Sequence, residues 1–258
     1  MSKNSAPGQP YARLRTYNLI MGALHAVQAI AILALSNSFG LPITTAFMTN
    51  APGLGFPAPE QAFKLALGPA VALFIAISAV AHFIIASPLG YSKYVDQLRR
   101  GMNLFRWYEY ALSSSLMIVL IVMLNGVTDL GALIAIFGVN ASMLFFGLLM
   151  ETRNEGREKL DWSPFIFGCI TGAVPWLIVA INCIGSERAS AEGVPGFVYG
   201  IIISLFLFFN SFALNMYLQY KKVGPWKDYL FGERAYVLLS LLAKSALAWQ
   251  VFTATLID

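Results

Sequence analysis

Charge is what this sequence has least of. Only 12% of its 258 residues are charged, about half the share usual in soluble domains. Hydrophobic residues make up 58%, and the mean hydropathy is +0.67. Those values exclude a soluble globular domain and a disordered chain. An aromatic content of 14% argues against a low-complexity polymer. Short alternating strands are also missing: the apolar runs are long and continuous, which excludes a transmembrane β-barrel. Cysteine is nearly absent. Cys169 and Cys183 lie 14 positions apart in one run, roughly 21 Å along a helix, too far to pair with each other. There is no internal repeat and no second domain. The expected fold is an all-α membrane protein, a single domain over 1–258.

Seven runs are long enough to cross a bilayer, which takes about 20 mostly apolar residues. They are 17–35, 65–86, 104–125, 130–150, 164–184, 194–217 and 236–256. The first follows Arg13 and Arg15 without a clear small-residue cleavage site, so it reads as an uncleaved anchor. An odd count puts the termini on opposite sides. Basic residues then assign the sides. Fourteen fall in the N-terminal segment and the loops after runs two, four and six: Lys3, Arg13, Arg15, Lys93, Arg99, Arg100, Arg106, Arg153, Arg157, Lys159, Lys221, Lys222, Lys227 and Arg234. The opposite set holds only Lys64 and Arg188. The expectation is a multi-pass cell-membrane protein with a cytoplasmic N-terminus. One long outer loop, 36–64, carries Pro42, Pro52, Pro57 and Pro59 and a stretch, 41–48, that reads as a short strand able to pair in a short β-hairpin. A loop of this length is expected to be an ordered cap or an interface.

Two charges interrupt the apolar runs. Lys244 sits near the middle of run seven, and Glu109 is read as the only acid inside a run. Each costs at least ~2.5–3.5 kcal/mol at bilayer depth. Opposite signs suggest one pair. The plainer alternatives are a structural salt bridge or a snorkelling lysine, but Lys244 has roughly 15 Å of helix to either end. Runs three and seven travel in the same direction, and helical side chains lean toward their own N-terminus. Lys244 should therefore reach back toward Glu109, whose helix is expected to begin before residue 104, near Asp96. A desolvated lysine amine suits a Schiff base with a carbonyl cofactor, and the protonated imine needs an anion beside it. In a seven-helix membrane protein the matching cofactor is retinal.

The segments FRWYEYALSSS (105–115), IFGVNASM (136–143), VPGFVYGIIISLFLFFNS (194–211), GERAY (232–236) and LAKSALAWQ (242–250) together resemble the heliorhodopsins, over essentially the whole chain. The resemblance implies a rhodopsin-like bundle, inverted relative to bacteriorhodopsin-type pumps, that binds all-trans retinal and senses light. It implies that Lys244 carries the retinal and Glu109 is its counterion. It further implies a homodimer and a cytoplasmic signalling partner, with no enzyme activity and no nucleic-acid partner. Where pumps usually keep a second carboxylate, one turn before the lysine, this chain has Ser240. Eleven residues after the counterion, where a proton pump keeps a donor acid, stands Leu120. Ser113 replaces the usual threonine four residues after the counterion. A pump needs ionisable groups on both sides of the imine, and none is visible toward the outer face.

His25 and His82 are the only histidines, both in spans and at similar depth in the inner half. Each alone reads as well as a packing residue. Together, as the resemblance implies, they form a cluster able to accept a proton near neutral pH. For the retinal slot the candidates are Trp176, Phe206, Phe209, Asn210, Met143, Asn140 and Gly147, against ordinary packing as the alternative. Ser78, Ser113, Ser114 and Ser240 are candidate hydrogen-bonding partners around the imine. The spacings Gly168…Gly172 and Gly196…Gly200 suggest close helix packing. The Arg99-Arg100 and Lys221-Lys222 pairs suggest contacts with anionic lipid or a docking site for a cytoplasmic partner. The rival functions are a light-driven ion transporter and a non-photochemical seven-helix solute transporter or receptor.

Overall fold

The computed structural model describes residues 8–49, 51, 53–55, 57–191 and 193–255. Lys3, Pro52 and Leu256 lie outside them. Among the described residues seven helices are long and apolar enough to cross a membrane. They are α1 (Gln9–Leu35), α2 (Leu67–Ala86), α4 (Leu104–Leu124), α5 (Leu130–Asn154), α6 (Ser163–Ala189), α7 (Gly196–Tyr220) and α8 (Tyr229–Thr255). A short amphipathic helix, α3 (Tyr91–Arg99), lies between α2 and α4, and strands β1 (Gly40–Thr45) and β2 (Glu60–Ala66) lie between α1 and α2. In lipid the backbone must satisfy itself, and helices do so within each segment.

Local residues explain where these helices start and stop. Pro164 falls in the first turn of α6, where its missing N–H costs nothing. Asp129 caps α5 by accepting from the Ala132 amide at 2.7 Å. The third membrane helix does not begin near Asp96. Helix α3 ends at Arg99, and Gly101 takes φ +72, a left-handed turn that suits glycine. Asn103 then starts α4 afresh, its side chain accepting from the Arg106 amide at 3.1 Å. Helices α1 and α8 each begin well before their apolar runs, which brings Glu233 and Arg234 inside α8.

Helix α4 is the most enclosed of the seven and α7 the least. The largest buried cluster joins the halves of the helices nearer the hairpin, with Ile32, Leu67, Phe74, Ile118, Leu120 and Leu247 at its centre. The expected strand in the long loop forms and pairs with β2 in an antiparallel hairpin. The hairpin is fastened to the α4–α5 turn: the Thr44 amide donates to the Thr128 carbonyl at 2.8 Å, and Ile43 enters the core. Of the two glycine spacings, only the first meets a neighbour. A Cβ at Gly172 would lie 2.5 Å from the Met143 sulfur, whereas one at Gly196 or Gly200 would meet no other element within 4 Å among the described residues.

Candidate functional site

Lys244 is the only lysine in the seven membrane helices. It is 3% exposed. Its Nζ donates to Ser240 Oγ at 2.7 Å and to Glu109 Oε1 at 3.2 Å. Ser240 is one turn back on α8, on the same face. Ser78 reaches across from α2 and donates to the same Glu109 oxygen at 2.6 Å. The Tyr110 ring lies under the ammonium, 4.8 Å from Nζ to the ring centroid. Three helices thus converge on one charge pair. A buried amine that donates to one carboxylate and one hydroxyl, with a second hydroxyl steadying the carboxylate, has the acceptor and the negative charge that a protonated imine N–H needs, so these residues fit a retinal linkage.

His25 on α1 and His82 on α2 stack, with ring centroids 5.6 Å apart and planes inclined by 14°. Asn18 fixes the tautomer of His82. Its Nδ2 donates to the Leu14 carbonyl at 2.9 Å, so its Oδ1 faces His82 Nδ1 at 2.8 Å. Nδ1 must then donate, leaving the lone pair on Nε2. Neither ring nitrogen of His25 has a partner among the described residues. His82, Ser78, Glu109 and Ser240 line one cavity of about 30 Å³, together with Asn103, Arg106 and Glu233. That is space for a water or two.

A second charge centre lies in that cavity's wall and toward the basic end of the bundle. Arg106 is not a loop charge: it is 5% exposed and ion-paired to both Glu151 and Glu233, which are equally buried. Glu109 is therefore not the only carboxylate within the membrane helices. Trp107 Nε1 and the Asn103 amide donate to Glu151 Oε2 at 2.7 and 2.8 Å. Asn103 Nδ2 and the Tyr94 hydroxyl donate to Glu233 Oε1 at 2.5 and 3.3 Å. Burial first, and the Glu233 charge second, hold the Tyr94 hydroxyl well above the ordinary phenol range, so it stays a donor. The cluster ties α3, α4, α5 and α8 together. In the sequence Glu151 lies one residue past run four and Glu233 three residues before run seven, so each looks like an ordinary charged helix end.

The remaining candidates fall into two groups. Asn140 Nδ2 donates to Ser114 and Ser115 at 3.0 Å each, a polar link between α5 and α4. Ser113 is fully buried, and its hydroxyl has no partner among the described residues. Trp176 packs edge-on against Phe206 and Phe209, at 5.2 and 5.4 Å between centroids, bridging α6 and α7. Gly147 leaves room for the Trp107 ring, since a Cβ there would run into it. Asn210 stands apart: it is exposed and its amide donates to its own helix at the Phe206 carbonyl. Of the basic surface pairs, Arg100 is engaged by Glu155 through two bonds of 2.5 and 2.7 Å. That contact holds the Glu155 carboxyl below its ordinary range.

A family model described as Heliorhodopsin matches residues 14–256. A search of curated proteins finds no match.

Proposed function

The chain belongs to the heliorhodopsin family, which makes it a multi-pass membrane protein of retinal-binding type, and from that premise we propose that it is a light sensor that does not pump ions. In this reading Lys244 carries all-trans retinal as a protonated Schiff base and Glu109 is the counterion. The observation that carries it is the single membrane lysine, buried and 3.2 Å from a carboxylate. Retinal would supply light absorption and a change of shape at the Lys244 nitrogen. The chain's own residues would do the rest. Glu109, oriented by Ser78, holds the positive charge at Lys244. Ser240 keeps the nitrogen on that side of α8. His82, with its Nε2 lone pair, and the stacked His25 offer a place for a proton on the inner side. The cavity shared with Glu109 supplies the path. Trp176, Phe206, Phe209 and Met143 would bound the slot, with Gly147, Asn140 and Ser114 behind them. Asn210 belongs to the proposal on sequence grounds alone.

The absence of pumping rests on the outer half. Leu120 is fully buried there in the apolar core, and Ser240 stands where a second acid would assist. A proton leaving toward the outside would cross apolar packing against a large desolvation barrier. The N-terminus is cytoplasmic in this reading, so the inner cluster faces the cell interior. A homodimer and a cytoplasmic signalling partner complete it. The test is illumination of cells expressing the protein with added retinal. The expected result is a transient charge movement with no sustained pH change. A steady photocurrent that Lys244→Ala abolishes would establish the transporter instead.

A further inference from the structure

A second cavity, of about 430 Å³, lies at the basic end of the bundle, among the ends of α5 and α7 and the start of α8. Its size is that of a small-molecule site. Glu151 forms part of its wall, so it adjoins the Arg106 cluster.

Charge is the first observation. Three of the lining ions are already satisfied, because Glu151 is held by Arg106, and Arg100 and Glu155 hold each other. That leaves Arg157, Lys222 and Lys227 against Glu158. None of these four makes an ion pair among the described residues, and the surplus is positive. The second observation is the Tyr229 hydroxyl. It is buried and has no hydrogen-bond partner among the described residues, and Tyr229 is one of the residues lining the cavity. A buried hydroxyl without a partner is costly unless something supplies one. The third is the backbone of Lys222. It takes φ +53, the only non-glycine residue with positive φ among those described. It occupies the position just past α7 where glycine is usual, with the Val223 amide bonded to the Leu218 carbonyl at 3.1 Å. A lysine there carries strain that glycine would not, and such strain collects at functional sites.

The geometry points to a binding site for a phosphate group in this cavity, held by Arg157, Lys222 and Lys227, with the Tyr229 hydroxyl as a donor. A doubly charged oxyanion matches three cations without ion pairs set against one acid, and it offers several acceptors at once. The phosphate can come from a soluble cytoplasmic molecule or from a lipid headgroup, and the site's chemistry is the same for both.

The test uses full-length protein in a phosphate-free detergent, in the dark. Inorganic pyrophosphate is titrated in one arm and short-chain phosphatidic acid in the other, with sodium chloride holding ionic strength constant. Saturable one-to-one binding in the first arm alone identifies a soluble ligand, and in the second alone a headgroup. Either outcome supports the site if affinity falls at least tenfold in the Arg157→Gln/Lys222→Gln/Lys227→Gln protein. The single variant Lys222→Gly separates this role from a structural one. It should unfold at a higher temperature, because the strain is gone, yet bind the probe at least threefold more weakly. No saturable binding of either probe, or affinity unchanged in the triple variant, would overturn the proposal. So would Lys222→Gly binding as tightly as wild type.

Discussion

Arg106 offers a quantitative test of how the buried charges are balanced. With both glutamates ionised, the cluster of Arg106, Glu151 and Glu233 carries one net negative charge, and all three side chains are at most 3% exposed. Replacing Arg106 with Gln leaves two ionised carboxylates facing each other out of water. Removing one member of a buried pair commonly costs about 3–5 kcal/mol. The stranded site has one escape, which is to take up a proton and restore the original net charge. In the unfolded chain a glutamate ionises near ~4.3, so holding one protonated in the folded variant costs about 3.7 kcal/mol at pH 7 and about 1 kcal/mol at pH 5 relative to that chain. The penalty of Arg106→Gln should therefore be near ~4 kcal/mol at pH 7 and much smaller at pH 5. Glu233→Gln behaves differently. It leaves a neutral Arg106–Glu151 pair that keeps the Trp107 and Asn103 bonds, so its cost should be about 1–2 kcal/mol and nearly independent of pH. The assay is loss of helical circular dichroism on heating in detergent, at one scan rate, at both pH values. Equal penalties for Arg106→Gln at pH 7 and pH 5 would refute the charge balance. So would Glu233→Gln being as damaging as Arg106→Gln at pH 7.

Three further outcomes follow from the same geometry. Gly147→Ala should destabilise by about 1–3 kcal/mol in the same melting assay, because Trp107 is pinned by its bond to Glu151 and cannot retreat from the new methyl; an unchanged melt would mean that α5 shifts freely. Glu109→Gln should lose much of the visible band near neutral pH in chloride-free buffer and regain it when chloride is added, since an anion must balance the charge at Lys244; an unaltered spectrum would place the counterion elsewhere. A C-terminal epitope tag should be reachable by antibody on intact cells and an N-terminal tag protected; the reverse pattern would invert the assignment of sides.

The membrane helices were legible because the bilayer imposes a length that composition alone reveals. The Lys244–Glu109 pair was legible because each charge interrupts an apolar run. Glu151 and Glu233 were not, since α5 and α8 continue past the apolar stretch and their acids look like ordinary charged ends. Arg106 was counted with the topology-setting charges for the same reason. Tyr94 reaches Glu233 from α3, beyond the turn at Gly101, and Trp107 and Asn103 reach Glu151 from α4 and its cap, tertiary contacts that no local pattern encodes. The first hairpin strand stood out, but its partner Glu60–Ala66 is almost wholly exposed and so has no apolar alternation to read. Among 19 phenylalanines, nothing local marks Phe206 and Phe209. What distinguishes them is the edge-on contact with Trp176, which only the packing of α6 beside α7 creates.

The central claim is that Lys244 holds the chromophore, and an absorption spectrum addresses it directly. Wild-type protein and Lys244→Ala are purified after addition of all-trans retinal, then denatured in acid. The account predicts a visible band in the wild type, bleached by hydroxylamine and persisting in acid as a protonated Schiff base, and folded but colourless Lys244→Ala. A visible band retained by the alanine variant, surviving acid in the same form, would contradict it.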